Sequence, residues 1–356
     1  MLSALVAITM LASGAERQAS SPATEPVRLT VAASGDFLIH QPVWQRALAD
    51  GGGGRYDFRP MLRYMAPIVR RADVALCHAE TPMSSRPPAG YPVFNTPRSL
   101  AKAIKWAGYD VCSTASNHSL DQGQPGIDAT GIALWRAGLA HTGSFRSSAA
   151  QTRTTMITVK GVRVAFLAYT EMTNGIPSPH PWSVNIARAD RILADARRAR
   201  RRGARVVVVN LHWGTENQAA PSAFQRRLAR RLTRDDTVTA VVGQHAHVVQ
   251  PISRVNGRLV VFGEGNLLSN QTAACCPAAS QDGLIALLKI TVGQRGASVA
   301  GVDYVPTWVR HPDYAVLPVG VALRGHLAPA AELYGSRRRT TAAAGRRHGV
   351  RPVSGG

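Results

Sequence analysis

Cysteine is scarce in this sequence, and the few cysteines lack the spacing of a structural zinc site. The four are Cys77, Cys112, Cys275 and Cys276, and no Cys-x-x-Cys pair occurs. A four-cysteine zinc site is therefore excluded. Cys77 and Cys112 lie in apolar, strand-like runs, where buried free thiols are the simplest interpretation. The alternative, a disulfide in an exported protein, requires the two strands to be neighbours and stays open.

Acidic residues are also few, with 21 Asp and Glu against 42 Lys and Arg, which gives a formal net charge of +21. The basic residues cluster in 188–202, 226–231 and 337–351. No nucleic-acid-binding motif accompanies them, so we interpret them as a solvated basic surface and predict no nucleic-acid partner. The charge is compatible with weak attraction to an acidic polymer or an anionic envelope surface.

Long apolar runs are absent from the interior of the chain, where no stretch is long enough to span a membrane. Residues 1–14 are apolar, end in small residues and resemble the hydrophobic region of a secretory signal, although a positively charged start is lacking. We therefore predict a signal-like segment and linker over 1–26, and a secreted or envelope-associated bacterial protein.

Apolar, strand-like runs alternate with helical stretches over most of the chain. This alternation predicts a layered α/β fold with a largely parallel or mixed central sheet, and the hairpin-rich later part predicts a second sheet. We assign residues 27–320 to one domain. Residues 321–356 form a basic tail whose Ala-, Arg- and Gly-rich composition predicts disorder.

Side chains that commonly bind metals come at or just after several apolar runs. The most informative are His245 and His247, which follow the run Val241-Val242. Alternate positions of an extended segment project to the same side, so both imidazoles can point at one ion. In layered α/β folds, ligands bind beyond the carboxyl ends of strands. The other such residues are Asp36, Glu80, Asn117 with His118, and His212.

Each of these residues alone has a structural explanation that is at least as good, but together they predict a site at one sheet edge. Carboxylate, amide oxygen and imidazole suit borderline divalent metals such as Zn²⁺, Mn²⁺ or Fe²⁺.

The ordered set of motifs resembles the CapA family, the poly-γ-glutamate capsule-synthesis proteins, which are related to calcineurin-like metallophosphoesterases. The resemblance covers roughly residues 28–318. The matching segments are Gly35-Asp36, Glu80-Thr81-Pro82, Ser116-Asn117-His118-Ser119-Leu120-Asp121, His212-Trp213-Gly214-Thr215-Glu216, Gly243-Gln244-His245-Ala246-His247-Val248 with Gln250-Pro251, Gly265-Asn266 and Tyr304-Val305-Pro306.

The resemblance implies an α/β/β/α sandwich of mixed sheets flanked by helices, with one or two divalent ions. It implies metal ligands at Asp36, Glu80, Asn117, His212, His245 and His247. His118 would be the catalytic acid or a substrate-binding imidazole beside the metals, and Asp121 would orient it. The pocket around the ligands would include Glu216, Gly265, Asn266 and His40.

The sequence departs from the pattern at three places. Leu38 stands where the phosphoesterase superfamily has the histidine of Asp-x-His, and the nearest histidine is His40. One ligand and the number of ions therefore stay open. His78 replaces the asparagine of the family's Asn-Leu-Glu; this is most simply a change at a non-ligand position, but an additional ligand stays open. Gln244-His245-Ala246-His247 replaces His-His-Pro-His and keeps both ligands.

For function, the resemblance implies an envelope-associated, metal-dependent protein of poly-γ-glutamate capsule biosynthesis or processing. A metal-activated water would hydrolyse a phosphoester or a polymer bond, and His118 would protonate the leaving group. The alternative is a non-hydrolytic accessory subunit that binds the polymer during synthesis or export. Either role admits membrane-bound synthesis partners.

Overall fold

The computed structural model describes residues 25–294, 296–346 and 349–355 and contains two mixed sheets between outer layers of helices. The signal-like segment predicted for residues 1–14 lies outside the described residues. The strands are β1 (Val27–Phe37), β2 (Val74–Ala79), β3 (Met83–Ser84), β4 (Thr96–Pro97), β5 (Val111–Ser113), β6 (Ala140–Thr142), β7 (Thr155–Val159), β8 (Val162–Thr170), β9 (Val206–His212), β10 (Ala240–Gln244), β11 (Ile252–Val255), β12 (Arg258–Val261), β13 (Asn266–Leu268), β14 (Asp282–Gly293), β15 (Gly296–Arg310), β16 (Ala315–Pro318) and β17 (Val350–Pro352).

Helices lie on the outer faces of the two sheets. None in the described ranges is long and apolar enough to cross a membrane. The helices are α1 (Gln41–Gly51), α2 (Arg59–Leu62), α3 (Ala66–Val69), α4 (Ser99–Ala107), α5 (Gly123–Arg136), α6 (Ser148–Thr152), α7 (Ala189–Arg201), α8 (Ala223–Thr233), α9 (Val319–Arg324) and α10 (Ala330–Ala344), with a 3₁₀ turn at Ala278–Gln281.

The first sheet has the order β16-β15-β14-β1-β2-β5-β6, with β13 beside β1 and β17 beside β15. Strands β1, β2, β5 and β6 run parallel, whereas β14 to β16 are antiparallel. The second sheet has the order β11-β12-β10-β9-β8-β7, in which the four inner strands are parallel and both edge strands are antiparallel. The predicted sandwich of mixed sheets is confirmed.

Strand β9 shows how the sequence builds the layers, because it is buried on both faces. Val206 and Val208 pack between the two sheets. The alternate residues Val207 and Val209 pack under α7 and α8. Successive side chains of a strand point to opposite faces, so an unbroken valine run is what a strand covered on both faces requires.

Strands β2 and β5 are neighbours, which satisfies the condition for a disulfide between Cys77 and Cys112. The two residues are paired in register, with their Cα atoms 4.5 Å apart, and they form a disulfide. Cys275 and Cys276 lie on the loop after β13 and are free thiols.

The structure differs from the predicted disorder of the tail. Most of it forms α9, α10 and β17, and β17 pairs with β15. Alanine and arginine favour helix, and α10 has a buried face that includes Leu333, Ser336 and Thr340. Arg339 on this helix donates two hydrogen bonds to the buried carboxylate of Asp282, at 2.6 and 3.0 Å. Composition alone did not reveal this docking because the contacts are made with distant strands.

Replacing Arg339 with Ala should lower the free energy of unfolding by about 1–3 kcal/mol, because the Asp282 carboxylate loses its paired donors while it stays buried. Urea denaturation measures the change. Arg338→Ala is the matched control: it removes an exposed arginine from the same helix and should stay within about 0.5 kcal/mol of the wild type. Equal stabilities of the two variants would contradict the docked position of α10.

Candidate metal centre

The residues implied as ligands come together where strands of both sheets end. Asp36 lies near the end of β1, Glu80 follows β2, and His212 ends β9. Asn117 lies on the loop after β5. The pair His245 and His247 lies on the loop after β10. All six side chains are buried, with at most 3% of their surface exposed. The six side chains therefore form a buried cluster at the carboxyl ends of parallel strands from both sheets, where such folds bind ligands.

Asp36 is fixed by a close approach of two backbone segments. Its N–H donates to the carbonyl oxygen of Gly265 at 3.0 Å. A Cβ atom on Gly35 would lie 1.9 Å from that same oxygen, so only glycine fits beside Asp36. The Asp36 carboxylate in turn lies 3.1 Å from His247 Nδ1 and accepts the His245 N–H at 3.3 Å.

His245 and His247 do not lie on an extended segment, so the geometric reason for pairing them was wrong. Both residues have a left-handed backbone, with φ of 88° and 53°, and they form a bend after β10. Non-glycine residues in this conformation cost energy that the surrounding structure must offset. Here the His245 N–H donates to Asp36, and Asn266 Oδ1 lies 3.0 Å from His247 Nδ1. The bend turns both rings toward Asp36 and Glu80.

Two groups of ligand atoms share Glu80. The Asp36 group consists of Asp36, Glu80 and His247, and the His212 group consists of Glu80, His212 and His245; within each group the ligand atoms lie within 4.8 Å of one another. Glu80 Oε1 is 3.9 Å from His212 Nε2 and 3.8 Å from His247 Nε2. The Asn117 side-chain oxygen adds to the His212 group, 2.8 Å from His212 Nε2. A carboxylate common to two groups has the position of a bridging ligand.

Several polar atoms of the cluster are buried without a hydrogen-bond partner among the described residues. They are both carboxylate oxygens of Glu80, Nδ1 of His212, Nδ1 of His245 and both ring nitrogens of His78. Buried polar atoms are normally hydrogen-bonded. The unpaired atoms of this cluster therefore indicate that an ion or another group binds there. Imidazole, carboxylate and amide donors together fit a divalent metal. The cluster therefore has the composition, spacing and free donor atoms for divalent metal binding.

The pKa values of two histidines in the cluster favour metal binding. Burial lowers the pKa of His245 to about 3, and the neighbouring His247 adds to the effect. Burial also lowers the pKa of His212 well below its usual value. Both imidazoles are therefore neutral and offer free lone pairs. Burial, helped by the nearby Asp36, raises the pKa of Glu80 well above its ordinary range.

His118 lies beside the cluster but belongs to neither group. Its Nδ1 is 2.8 Å from the carboxyl of Asp121, which also accepts the backbone N–H of Phe94 at 2.7 Å. The Phe94 ring meets the imidazole edge-on, with centroids 4.7 Å apart. Because Nδ1 is engaged by Asp121, Nε2 remains available to exchange a proton with a bound molecule.

The four other residues implied for the pocket lie around the ligands and make different contacts. Gly265 supplies the carbonyl that holds Asp36, and the Asn266 amide nitrogen donates to Gln271 Oε1 and Ser280 O, at 2.8 and 2.9 Å. Glu216 is exposed at the rim, with a carboxylate oxygen within 4.8 Å of both His245 and His247. His40 directly precedes α1, and its Nδ1 accepts the Asn270 N–H at 3.2 Å. This hydrogen bond fixes the loop after β13 to His40.

A series of buried, hydrogen-bonded side chains behind the ligands was not predicted from the sequence. Asn210 donates to Gln244, and Gln244 donates to Glu264, at 2.8 and 2.7 Å. Burial raises the pKa of Glu264 to about 8, so this carboxyl is protonated at neutral pH. A single glutamate between two glycines, two residues before Asn266, was the available signal.

Metal affinity should rise with pH, about tenfold per pH unit for each proton released. Burial alone would lower the pKa of His247, but the Glu80 and Asp36 carboxylates raise it to about 10. The buried His247–Glu80 pair therefore keeps a proton at neutral pH in the metal-free protein, and an ion must displace it. Titration with Mn²⁺ in weakly buffered solution with a pH indicator, between pH 6 and 8.5, measures the release. An affinity that does not change with pH would contradict this protonation state.

The two-sheet sandwich, with buried carboxylates and imidazoles at the strand ends, defines a protein of the metallophosphoesterase-like fold class. The solved 5′-nucleotidase precursor of Thermus thermophilus has a similar fold, with a TM-score of 0.51 and 16% identity. That match covers 89% of this chain and 59% of the nucleotidase. It supports the fold alone.

Residues 30–271 match the family model for the bacterial capsule synthesis protein PGA_cap, and the chain belongs to this family. The capsule biosynthesis protein CapA of Bacillus anthracis is 26% identical over 258 residues, covering 69% of this chain. The PGA biosynthesis protein CapA of Bacillus subtilis (strain 168) is 27% identical over 217 residues, covering 59% of this chain. The chain spans 61% and 57% of the lengths of these two relatives.

Proposed function

We propose that this protein is a metal-dependent hydrolase of poly-γ-glutamate capsule biosynthesis or processing. The observation that carries the proposal is Glu80, shared by two groups of buried ligand atoms, with the His118–Asp121 pair beside them. The names of the two Bacillus relatives, which refer to capsule and PGA biosynthesis, support the polymer as the context.

We propose two ions, one at the Asp36 group and one at the His212 group, because a single ion leaves one group of buried donors unused. The oxygen and nitrogen donors favour Mn²⁺, Zn²⁺ or Fe²⁺. When bound, such ions acidify a water molecule and neutralise charge that develops on the scissile group.

The protein's own residues have distinct roles in this proposal. The carboxylates Asp36 and Glu80, with the neutral imidazoles, hold the ions. His118 donates a proton from Nε2 to the leaving group while Asp121 holds Nδ1. The buried pocket excludes bulk water and so strengthens these electrostatic contacts.

The surface charge fits an anionic polymer. Helix α8 comes soon after the loop that carries Glu216 and exposes four arginines, which are Arg226, Arg227, Arg230 and Arg231. A positive surface next to a pocket raises the local concentration of a negatively charged chain. We propose that this surface guides poly-γ-glutamate toward the pocket.

We further propose that the protein works outside the cytoplasm or at the cell envelope, beside membrane-bound synthesis subunits. The Cys77–Cys112 disulfide supports an oxidising compartment. The net charge of +21 is also compatible with an anionic envelope surface.

The test is turnover by the metal-loaded protein of poly-γ-glutamate and of bis-p-nitrophenyl phosphate, with the chelated protein as control. We expect cleavage of at least one substrate that is lost on chelation and restored by Mn²⁺ or Zn²⁺. Cleavage of the phosphodiester alone would assign the protein to phosphoester hydrolysis and overturn the polymer as its substrate. Bound metal and bound polymer without turnover of either substrate would overturn the hydrolase proposal in favour of the non-hydrolytic accessory subunit.

A further inference from the structure

His78 is a buried imidazole whose ring nitrogens have no hydrogen-bond partner among the described residues. It lies near the end of β2, directly opposite Asp36 on β1 in the parallel register. None of its surface is exposed, and neither ring nitrogen has a hydrogen-bond partner within the described ranges. A packing role alone would be better served by an apolar side chain of similar size, because burying an unpaired polar group costs free energy.

The surroundings of His78 are the metal centre itself. Its Nε2 lies 3.7 Å from Asp36 Oδ1, which is too long for a hydrogen bond. Its ring stacks on that of His212, with centroids 4.8 Å apart. Asp36, His78 and His212 each offer one ligand atom, all within 4.8 Å of one another. Two atoms that each lie about 2.1 Å from one ion are roughly 3.0–3.6 Å apart at angles of 90–120°, so the 3.7 Å separation is close to that of two ligands of a shared ion.

The Asp36 group lacks a second imidazole without His78. Its other members are two carboxylates and His247. Leu38, the alternate residue after Asp36, is apolar and buried, and His40 is engaged by the backbone of Asn270. Borderline divalent metals bind well to mixed imidazole and carboxylate sets.

We infer that His78, supplied by the neighbouring strand, is a metal ligand beside Asp36. This inference rests on the proposed metal centre.

Cobalt titration of the wild type and of His78→Asn tests the inference. The variant should lose one Co²⁺ equivalent, or bind it at least about tenfold more weakly, and its visible absorption should change. His141→Asn is the control: His141 lies on β6 of the same sheet, outside the ligand groups, and the variant should match the wild type.

A second variant tests direct coordination. His78→Cys places a thiol at the same position and should add a sulfur-to-cobalt charge-transfer band that the wild type lacks. Melting of the metal-free proteins separates ligation from packing: a ligand role predicts that His78→Asn reduces the stabilisation gained from metal and leaves the metal-free melting temperature near that of the wild type.

Two different failures can be distinguished. If the wild type binds no cobalt, the proposed metal centre itself is wrong. If the wild type binds cobalt, and His78→Asn keeps its stoichiometry, affinity and spectrum while His78→Cys adds no band, the centre stands and the inference about His78 is overturned.

Discussion

Replacing Glu80 with Gln should remove metal from both groups of the centre at once. Glu80 belongs to both the Asp36 group and the His212 group. An amide supplies neither the charge nor the second strong oxygen that a shared ligand needs. We expect each ion to bind at least about 100-fold more weakly, and hydrolysis to fall by more than about 1000-fold, since the ions supply several kcal/mol of charge stabilisation. Elemental analysis after dialysis measures the loss of metal.

Glu264→Gln is the matched control for this variant. Glu264 is equally buried, and burial raises its pKa to about 8, so glutamine closely mimics its protonated form at neutral pH. It also stands outside the ligand groups and accepts a hydrogen bond from Gln244. We expect metal content close to that of the wild type. Equal loss of metal in both variants would show that general damage to the buried pocket, rather than the loss of a shared ligand, explains the result.

Replacing His118 with Ala should lower the turnover number by about 10²–10⁴-fold while metal content stays unchanged. His118 touches Asp121 and Phe94 and belongs to no ligand group. The loss should be smallest for substrates with good leaving groups, because these need little protonation. Steady-state kinetics with a series of aryl phosphodiesters measures this dependence.

Asp121→Asn separates orientation from proton donation. The amide can still meet the Phe94 N–H, but it does not stabilise a positively charged imidazole, so we expect a smaller loss of turnover than for His118→Ala. Unchanged turnover in His118→Ala, with both ions bound, would rule out His118 as the acid. The leaving group would then depart without a proton from His118.

Much of the fold was readable from local patterns. The valine run of β9 is typical of a strand buried on both faces, and the second sheet's partner sheet and two helices cover it. Lys160-Gly161 and Asn256-Gly257 are typical of two-residue hairpin turns, and all four residues have the positive φ that such turns require. Patterns of this kind can be read locally because alternation and turn chemistry act over a few residues.

Patterns that depend on distant contacts were harder to read. The composition of α10 predicted disorder, yet Arg339 meets Asp282, 57 residues earlier in the chain. The pair His245 and His247 was found for the wrong geometric reason, since a left-handed bend, not an extended strand, orients the rings. Asp36, from the other sheet, supports this bend by accepting the His245 N–H.

The sequence by itself determined the layered α/β architecture, the family motifs and the set of side chains able to bind metal, because strand periodicity and residue chemistry are local properties. Only the tertiary structure decided how those side chains are shared. It placed Glu80 between two groups and paired His118 with Asp121. It also placed His78 beside Asp36, with no hydrogen-bond partner among the described residues. These relations depend on which strand ends meet across two sheets, and strand order and register are fixed by packing over the whole chain.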